Sequence, residues 1–209
     1  MSASRNFWSI NQGNPPDLTQ AMNNPTIDLS FPHTWSAEIL PRRPLILPPR
    51  HFIYPKQAED IERGALEVMV HPAGAEPFLA TFALGFADPA APTGLWSCPD
   101  PAWLSAVAGG YAYLLSASKP ERFDQIEYRP VLQVLALPAH RLLLFAGHHS
   151  LLALGAAGKT WQTARLSSEG VEIKRVEGDR IEGIGWDMLT DRDVPFTVDL
   201  RTGARIETD

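Results

Sequence analysis

Three glycine-containing tripeptides recur at one fixed spacing, and no other feature of this sequence constrains its fold as strongly. They are Gly109-Gly110-Tyr111, Gly147-His148-His149 and Gly185-Trp186-Asp187, whose first positions are evenly spaced along the chain. The aromatic residues Phe123 and Trp161 are separated by the same interval. A period of about 40 residues made of short strands is typical of propeller-like β modules. The repeat therefore predicts an architecture, and it indicates no chemistry.

Short apolar runs on either side of each tripeptide predict β-strands that the tripeptide joins, and a longer Asp-rich loop is predicted after the third. Residues 142–145 and 151–154 are apolar without alternation, so these strands need cover on both faces. Residues 100–109 also carry helix signals, including a proline at the first helical position, but their alignment with residues 141–146 favours a strand. The predicted strands are residues 66–70, 78–86, 103–108, 112–116, 123–128, 141–146, 150–154, 161–166, 171–176, 180–184 and 196–200.

Residues 142–154, followed by Gly158, Lys159 and Trp161, resemble a blade of the quinoprotein-like (PQQ-type) β-propellers, and residues 196–203 resemble the same strand-and-turn element. The resemblance spans roughly residues 95–205. It implies blade geometry but no quinone site, because no cofactor-site residues can be carried over. We therefore predict an all-β fold, a propeller-like stack of short antiparallel sheets forming a small or incomplete propeller, with a two-sheet β-sandwich as the alternative.

The segment that precedes residue 65 differs in composition from the remainder. Nine of the 19 prolines precede residue 56, which prevents long helices and central strands. We predict a single domain, in which residues 1–64 form a proline-rich extended arm packed on a β-repeat body of residues 65–209. The arm should contain short edge strands around residues 27–31 and 45–47, and one or two helical turns over residues 57–63.

Composition excludes some function classes. The net charge of −6 and the pI near 5.5 disfavour a nucleic-acid partner. Apolar stretches are too short to cross a membrane, and no leader-like segment is visible, so we expect a cytoplasmic protein without a membrane partner. Cys98 is the sole cysteine, which excludes an internal disulfide and indicates a structural thiol.

The tripeptides supply the candidate binding residues Tyr111, His148, His149, Trp186 and Asp187. If the repeats stack, these side chains share one edge of the body. Adjacent histidines can ligate a metal, but the three or four ligands of a metal site are not apparent, so we predict neither metal nor cofactor. We expect a non-enzymatic β-repeat module for protein or peptide interaction, with oligomerisation able to complete the β assembly. The alternative is a metal-dependent hydrolase using His148, His149 and Asp187.

Overall fold

The computed structural model describes residues 25–56, 61, 63–85 and 91–207. The strands found in these ranges are β1 (Thr26–Asp28), β2 (Trp35–Leu40), β3 (His51–Tyr54), β4 (Ala65–Pro72), β5 (Phe78–Ala83), β6 (Gly94–Ser97), β7 (Trp103–Ala108), β8 (Tyr111–Ser116), β9 (Phe123–Gln125), β10 (Gln133–Leu137), β11 (Leu142–Ala146), β12 (Leu151–Gly155), β13 (Gly158–Gln162), β14 (Glu169–Glu177), β15 (Arg180–Asp187) and β16 (Arg192–Asp199). A 3-10 turn, Pro138–His140, precedes β11.

The strands form four short sheets, which we number in the order in which they stack. Sheet I has the strand order β2-β4-β5-β3, and sheet II the order β1-β6-β7-β8-β9. Sheet III has the order β10-β11-β12-β13, and sheet IV the order β14-β15-β16. Only the pairs β1–β6 and β3–β5 are parallel among these strands. The predicted all-β class is confirmed, and no helix among the described residues is long and apolar enough to span a bilayer.

Three apolar clusters hold the four sheets in a row. One cluster joins sheets I and II through residues such as Val68 and Leu104. A second joins sheets II and III through residues such as Val107 and Phe145. The third joins sheets III and IV and includes Trp161. Sheets II and III are therefore covered on both faces, as the apolar runs of their strands require.

β11 shows why the inner position is necessary. All of its residues are buried, and they alternate between two clusters. Leu143 and Phe145 lie in the cluster shared with sheet II, whereas Leu142, Leu144 and Ala146 lie in the cluster shared with sheet IV. A strand with apolar side chains on both faces is stable only between two other layers.

Equivalent positions of the repeat face each other across the II–III interface. Val107 and Phe145, which are one repeat apart, lie in the same cluster. Phe123 and Trp161, also one repeat apart, point outward to sheets I and IV respectively. The four-sheet stack is consistent with both the propeller-like and the sandwich prediction. In a propeller, equivalent faces of successive blades all point the same way around the ring, so they do not face each other. The facing of Val107 and Phe145 therefore favours sandwich packing for sheets II and III.

The sequence repeat holds within strands but fails at the turns. Phe123 pairs with Leu115, and Trp161 pairs with Ala153, so the spacing is kept across both strand pairs. Residues 109–110 alone join β7 and β8, whereas residues 147–150 join β11 and β12. Gly185 lies inside β15 rather than at a strand junction. The predicted third junction, with a long Asp-rich loop after it, is therefore wrong.

The strands of the predicted arm lie at sheet edges. β1 is an edge strand of sheet II, and β2 and β3 are the two edges of sheet I. The expected strand near residue 27 is therefore present, but residues 45–47 form no strand. The helical turns predicted over residues 57–63 fall largely outside the described residues.

A buried polar cluster lies on the face of sheet I that points away from sheet II. The Thr81 hydroxyl donates to Glu67 Oε2 over 2.5 Å, and His51 Nε2 lies 2.9 Å from the same hydroxyl oxygen. Arg43 Nε donates to Glu67 Oε1 over 2.7 Å. Because a buried carboxylate is costly without partners, these bonds allow Glu67 to occupy a sheet face.

Trp161 offers a direct test of the III–IV interface. The side chain is buried, and its Nε1 donates to the Leu200 carbonyl oxygen over 2.9 Å. We expect Trp161→Ala to lower the free energy of unfolding by roughly 3–5 kcal/mol, as aromatic truncations in cores do. Trp161→Phe keeps a ring in the interface and should lose clearly less. A loss below about 1 kcal/mol for the alanine variant, measured by urea unfolding, would contradict this packing.

The His51 environment predicts a pH-dependent stability. Burial, and then the charge of Arg43, lower the pKa of His51 below its usual 6.5, while Glu67 opposes them. The unfolded chain therefore binds this proton more readily than the folded one, and stability is lost as the pH falls below about 6.5. His51→Gln should show a smaller loss in unfolding free energy between about pH 7.5 and about pH 5 than the wild type. An equal loss in both would remove His51 as a contributor.

Candidate functional site

Backbone hydrogen bonds connect the four sheets along one edge, which we call the glycine edge. Gly85 N donates to Ala108 O over 3.0 Å, which joins sheets I and II. Val131 N donates to Gly110 O over 2.8 Å, just before sheet III begins. Val171 N then donates to Gly147 O over 3.0 Å, which joins sheets III and IV. The repeat glycines Gly110 and Gly147 therefore lie where the backbone of one sheet is hydrogen-bonded to the chain that leads into the next sheet.

Close backbone contacts explain why these positions lack side chains. A Cβ atom at Gly147 would lie 2.8 Å from Pro130 O, and one at Gly185 would lie 2.6 Å from Leu166 O. Gly110 has φ +78°, a left-handed conformation that glycine adopts without strain. These glycines thus allow neighbouring sheets to approach closely and the chain to turn tightly, and both roles are structural.

His148 and His149 lie on the turn between β11 and β12. The His149 carbonyl oxygen accepts from Leu166 N over 2.7 Å and from Ser167 N over 3.3 Å. Its ring atom Nδ1 lies 3.3 Å from Ser167 O. Nδ1 of His148 is buried and has no hydrogen-bond partner among the described residues. The two rings are 6.0 Å apart between centroids and tilted by 46°.

Trp186 and Asp187 end β15 and approach His149 through Ser167. The Ser167 hydroxyl oxygen accepts from Trp186 N over 2.9 Å and donates to Trp186 O over 3.2 Å. Asp187 Oδ1 accepts from Leu189 N over 2.8 Å, which stabilises the turn into β16. The structure therefore brings His149 and Trp186 together, and it gives Asp187 a role within its own hairpin.

Tyr111 lies at the opposite end of the glycine edge. Its ring packs where a side chain at Gly85 would be, and the Arg129 guanidinium carbon is 5.1 Å from the ring centroid. Bonds between neighbouring sheets connect this end with the His149 end, but Tyr111 contacts sheet I whereas Trp186 belongs to sheet IV. The assignment of all five residues to one binding surface stays a prediction.

The glycine edge offers no assembled metal centre in the part of the chain that the structure describes. No three His, Cys, Asp or Glu side chains are grouped there as a metal site would require. Cys98 is buried, and burial raises the pKa of its thiol, so the reactive thiolate form is disfavoured. Neither a metal-dependent nor a thiol-based reaction gains support from these residues.

An exposed apolar segment lies between β2 and β3, at the flank of sheet I. Leu45 and Ile46 are 98% and 88% exposed, and Leu47 is 46% exposed. The flanking residues are Pro44 and Pro48. We call residues 44–49 the apolar loop. The sequence predicted a covered strand here, because consecutive apolar residues are normally buried.

Two comparisons of the sequence, with family models and with curated proteins, find no relative. A scan against models of protein families finds no match, and a search of curated proteins finds none with significant similarity. The functional assignment therefore rests on the geometry of this chain alone.

Ser167 is the residue that sequence reasoning missed at this edge. It is buried, and its hydroxyl oxygen accepts from the backbone amides of both Trp186 and Glu169. No local sequence pattern indicates the role of Ser167, because its partner Trp186 lies on another strand pair. It joins the turn carrying His149 to sheet IV.

We expect Ser167→Ala to lower the free energy of unfolding by roughly 0.5–1.5 kcal/mol, because it leaves the part-buried amide of Trp186 without its acceptor. Amide exchange of Trp186 should accelerate in the same variant. Ser168→Ala is the matched control, since Ser168 Oγ accepts from the exposed amide of Met188. Equal effects of the two variants on stability and on Trp186 exchange would show that Ser167 does not join these elements.

Proposed function

We propose that this protein is a non-enzymatic β module that binds a partner protein, and that the apolar loop is its docking element. The observation that carries the proposal is the exposure of three consecutive apolar side chains, Leu45, Ile46 and Leu47. Single apolar residues are common on protein surfaces, but contiguous ones mark interaction sites. Burying such a side chain stabilises a complex by about 1.5–3 kcal/mol, so three together supply a useful anchor.

The loop is held at both ends, which reduces the entropy that binding must overcome. Before the apolar residues, Arg43 bonds to the buried Glu67 of sheet I. After them, Arg50 donates to the Glu76 carbonyl oxygen, and its guanidinium lies 5.6 Å from the Phe78 ring centroid. Prolines 44, 48 and 49 restrict the backbone between these anchors. A preorganised loop binds more tightly than a flexible one with the same side chains.

The surroundings of the loop indicate the chemistry of the partner. Arg42 is exposed beside it, whereas Arg43 is already paired with Glu67. An apolar groove on the partner with a carboxylate at its rim would complement Leu45 and Ile46 together with Arg42. The chain has a net charge of −6, so this basic flank is a local feature that favours one orientation of docking.

The peptide-binding role predicted for Tyr111, His148, His149, Trp186 and Asp187 stays a separate prediction, and docking through the apolar loop does not require it. The metal-dependent hydrolase is not favoured by any described contact of His148, His149 or Asp187. The propeller relationship, the cytoplasmic location and the oligomerisation inferred from the sequence likewise stay predictions.

The docking role can be tested by placing a photo-crosslinking amino acid at position 46 or at position 189 in cells of the source organism. Position 189 is the matched control, because Leu189 is also apolar and 91% exposed but lies on the β15–β16 turn. We expect a discrete adduct from position 46 and none of the same protein from position 189.

The partner identified in this way is then titrated as a purified protein. Leu45→Ser combined with Ile46→Ser should weaken its binding about tenfold or more, as the loss of central anchors does. Met188→Ser combined with Leu189→Ser should leave binding unchanged. The absence of an adduct at position 46, or equal weakening by both pairs of substitutions, would exclude the apolar loop as the docking element.

A further inference from the structure

A cavity of about 390 Å³ opens beside Tyr111, next to the facing ends of sheets I and II. Its size falls within the range of small-molecule sites. The residues that line it are apolar or aromatic side chains, three cations and one glutamine. The members that matter for recognition are Tyr111, Phe123, Gln125, Lys56, Arg63 and Arg129.

Three cations line the cavity of a protein that is acidic as a whole. Lys56, Arg63 and Arg129 are exposed, and among the described residues none of the three forms an ion pair with a carboxylate. The described lining contains no Asp or Glu. Because the chain as a whole carries a net charge of −6, three cations that line one cavity are a local concentration of charged side chains. A concave site lined by one sign of charge focuses the field on its contents.

The interior of the cavity is fixed by hydrogen bonds and ring packing. Tyr113 is fully buried, and its hydroxyl donates to the Ala83 carbonyl oxygen over 2.9 Å. Gln125 Nε2 donates to the same hydroxyl oxygen over 3.5 Å. The Arg129 guanidinium carbon lies 5.1 Å from the centroid of the Tyr111 ring. The site therefore combines an aromatic wall, fixed by these contacts, with exposed cations.

The geometry points to this cavity as a binding site for a phosphomonoester carried on a small apolar or aromatic group. A phosphomonoester bears a charge of about −2 at neutral pH and three acceptor oxygens. Arginine and lysine together offer several donors to such oxygens. A carboxylate, with one charge, needs only one of these cations. The Phe123 ring and the Pro55 side chain supply apolar surface for the group that carries the phosphate.

The site is separate from the apolar loop. All of β3, a strand of about 13 Å, lies between that loop and Pro55. Loss of phosphomonoester binding would therefore leave the docking proposal intact, and the reverse also holds.

Phenyl phosphate is the first probe, and isothermal titration calorimetry with the full chain is the measurement. We expect saturable binding that weakens as ionic strength rises. Phenol, which lacks the phosphate, should not bind, and benzoate should bind at least about tenfold more weakly. Arg129→Ala, and Lys56→Ala combined with Arg63→Ala, should each weaken phenyl phosphate binding about tenfold or more.

Lys119→Ala combined with Arg192→Ala is the matched control, because it removes one lysine and one arginine at exposed positions that do not line the cavity. We expect its affinity for phenyl phosphate to stay within about twofold of the wild type. Thermal melts of all variants without ligand should coincide, which separates binding from folding. If Arg129→Ala fails to fold, Arg129→Lys replaces it and should weaken binding through loss of the planar donor set.

A peptide containing phosphotyrosine distinguishes the two sources of the phosphate. Tighter binding of the peptide than of phenyl phosphate assigns the cavity to a phosphorylated side chain, and equal or weaker binding assigns it to a phosphorylated small molecule. Either ranking supports the phosphomonoester site. Absence of phenyl phosphate binding, binding of benzoate equal to that of phenyl phosphate, or equal losses in the cavity and control variants would overturn it.

Discussion

The requirement for cover on both faces of β11 governs the arrangement of this protein. Its residues alternate between the II–III and III–IV clusters, and all are buried. Sheet III must therefore have a neighbour on each side, and the same demand applies to sheet II between sheets I and III. Sheet IV can end the row because its outer face carries ion pairs such as Arg175–Glu182. The row of sheets therefore ends at a sheet whose outer face is polar and can be exposed to water.

The glycine edge follows from this stacking. Once the sheets lie face to face, their ends come close enough for one sheet to accept a backbone hydrogen bond from the next, as Gly110 and Gly147 do. A side chain at Gly147 would meet Pro130 O at 2.8 Å. The recurring glycines are thus a consequence of layer contact, and the proposed ligand-binding chemistry lies beside them, in the cavity near Tyr111, rather than on them.

The sequence predicted correctly those features that follow from the pattern of apolar residues, because that pattern indicates which segments are buried. The all-β class and most of the body strands, including β7 despite its helix signals, followed from apolar runs and from the repeat spacing. It missed β2 and β3, because proline-rich flanks concealed them. It also missed β6, which has only four residues, and β10, whose residues are all half-buried. The turn at Gly185 was wrong because a glycine inside a strand marks close approach as well as a chain reversal.

The candidate sites depend on contacts that sequence spacing does not report. Arg129 joins Lys56 and Arg63 only because β3 and β9 bring distant segments to one cavity. Ser167 links His149 to Trp186 through bonds across two sheets. Leu45 is exposed although it is hydrophobic, and a sequence pattern predicts burial from hydrophobicity. The chemical character of each side chain could be read from the sequence, but which side chains lie close together could be seen only in the folded structure.

Nuclear Overhauser contacts measure directly whether equivalent strands face each other across the II–III interface. We expect contacts from the Phe145 ring to methyl groups of sheet II, those of Val107 and Ala112, and contacts from Leu144 to Phe196 of sheet IV. Contacts of Phe145 with sheet IV, and of Val107 with sheet I, would contradict this arrangement.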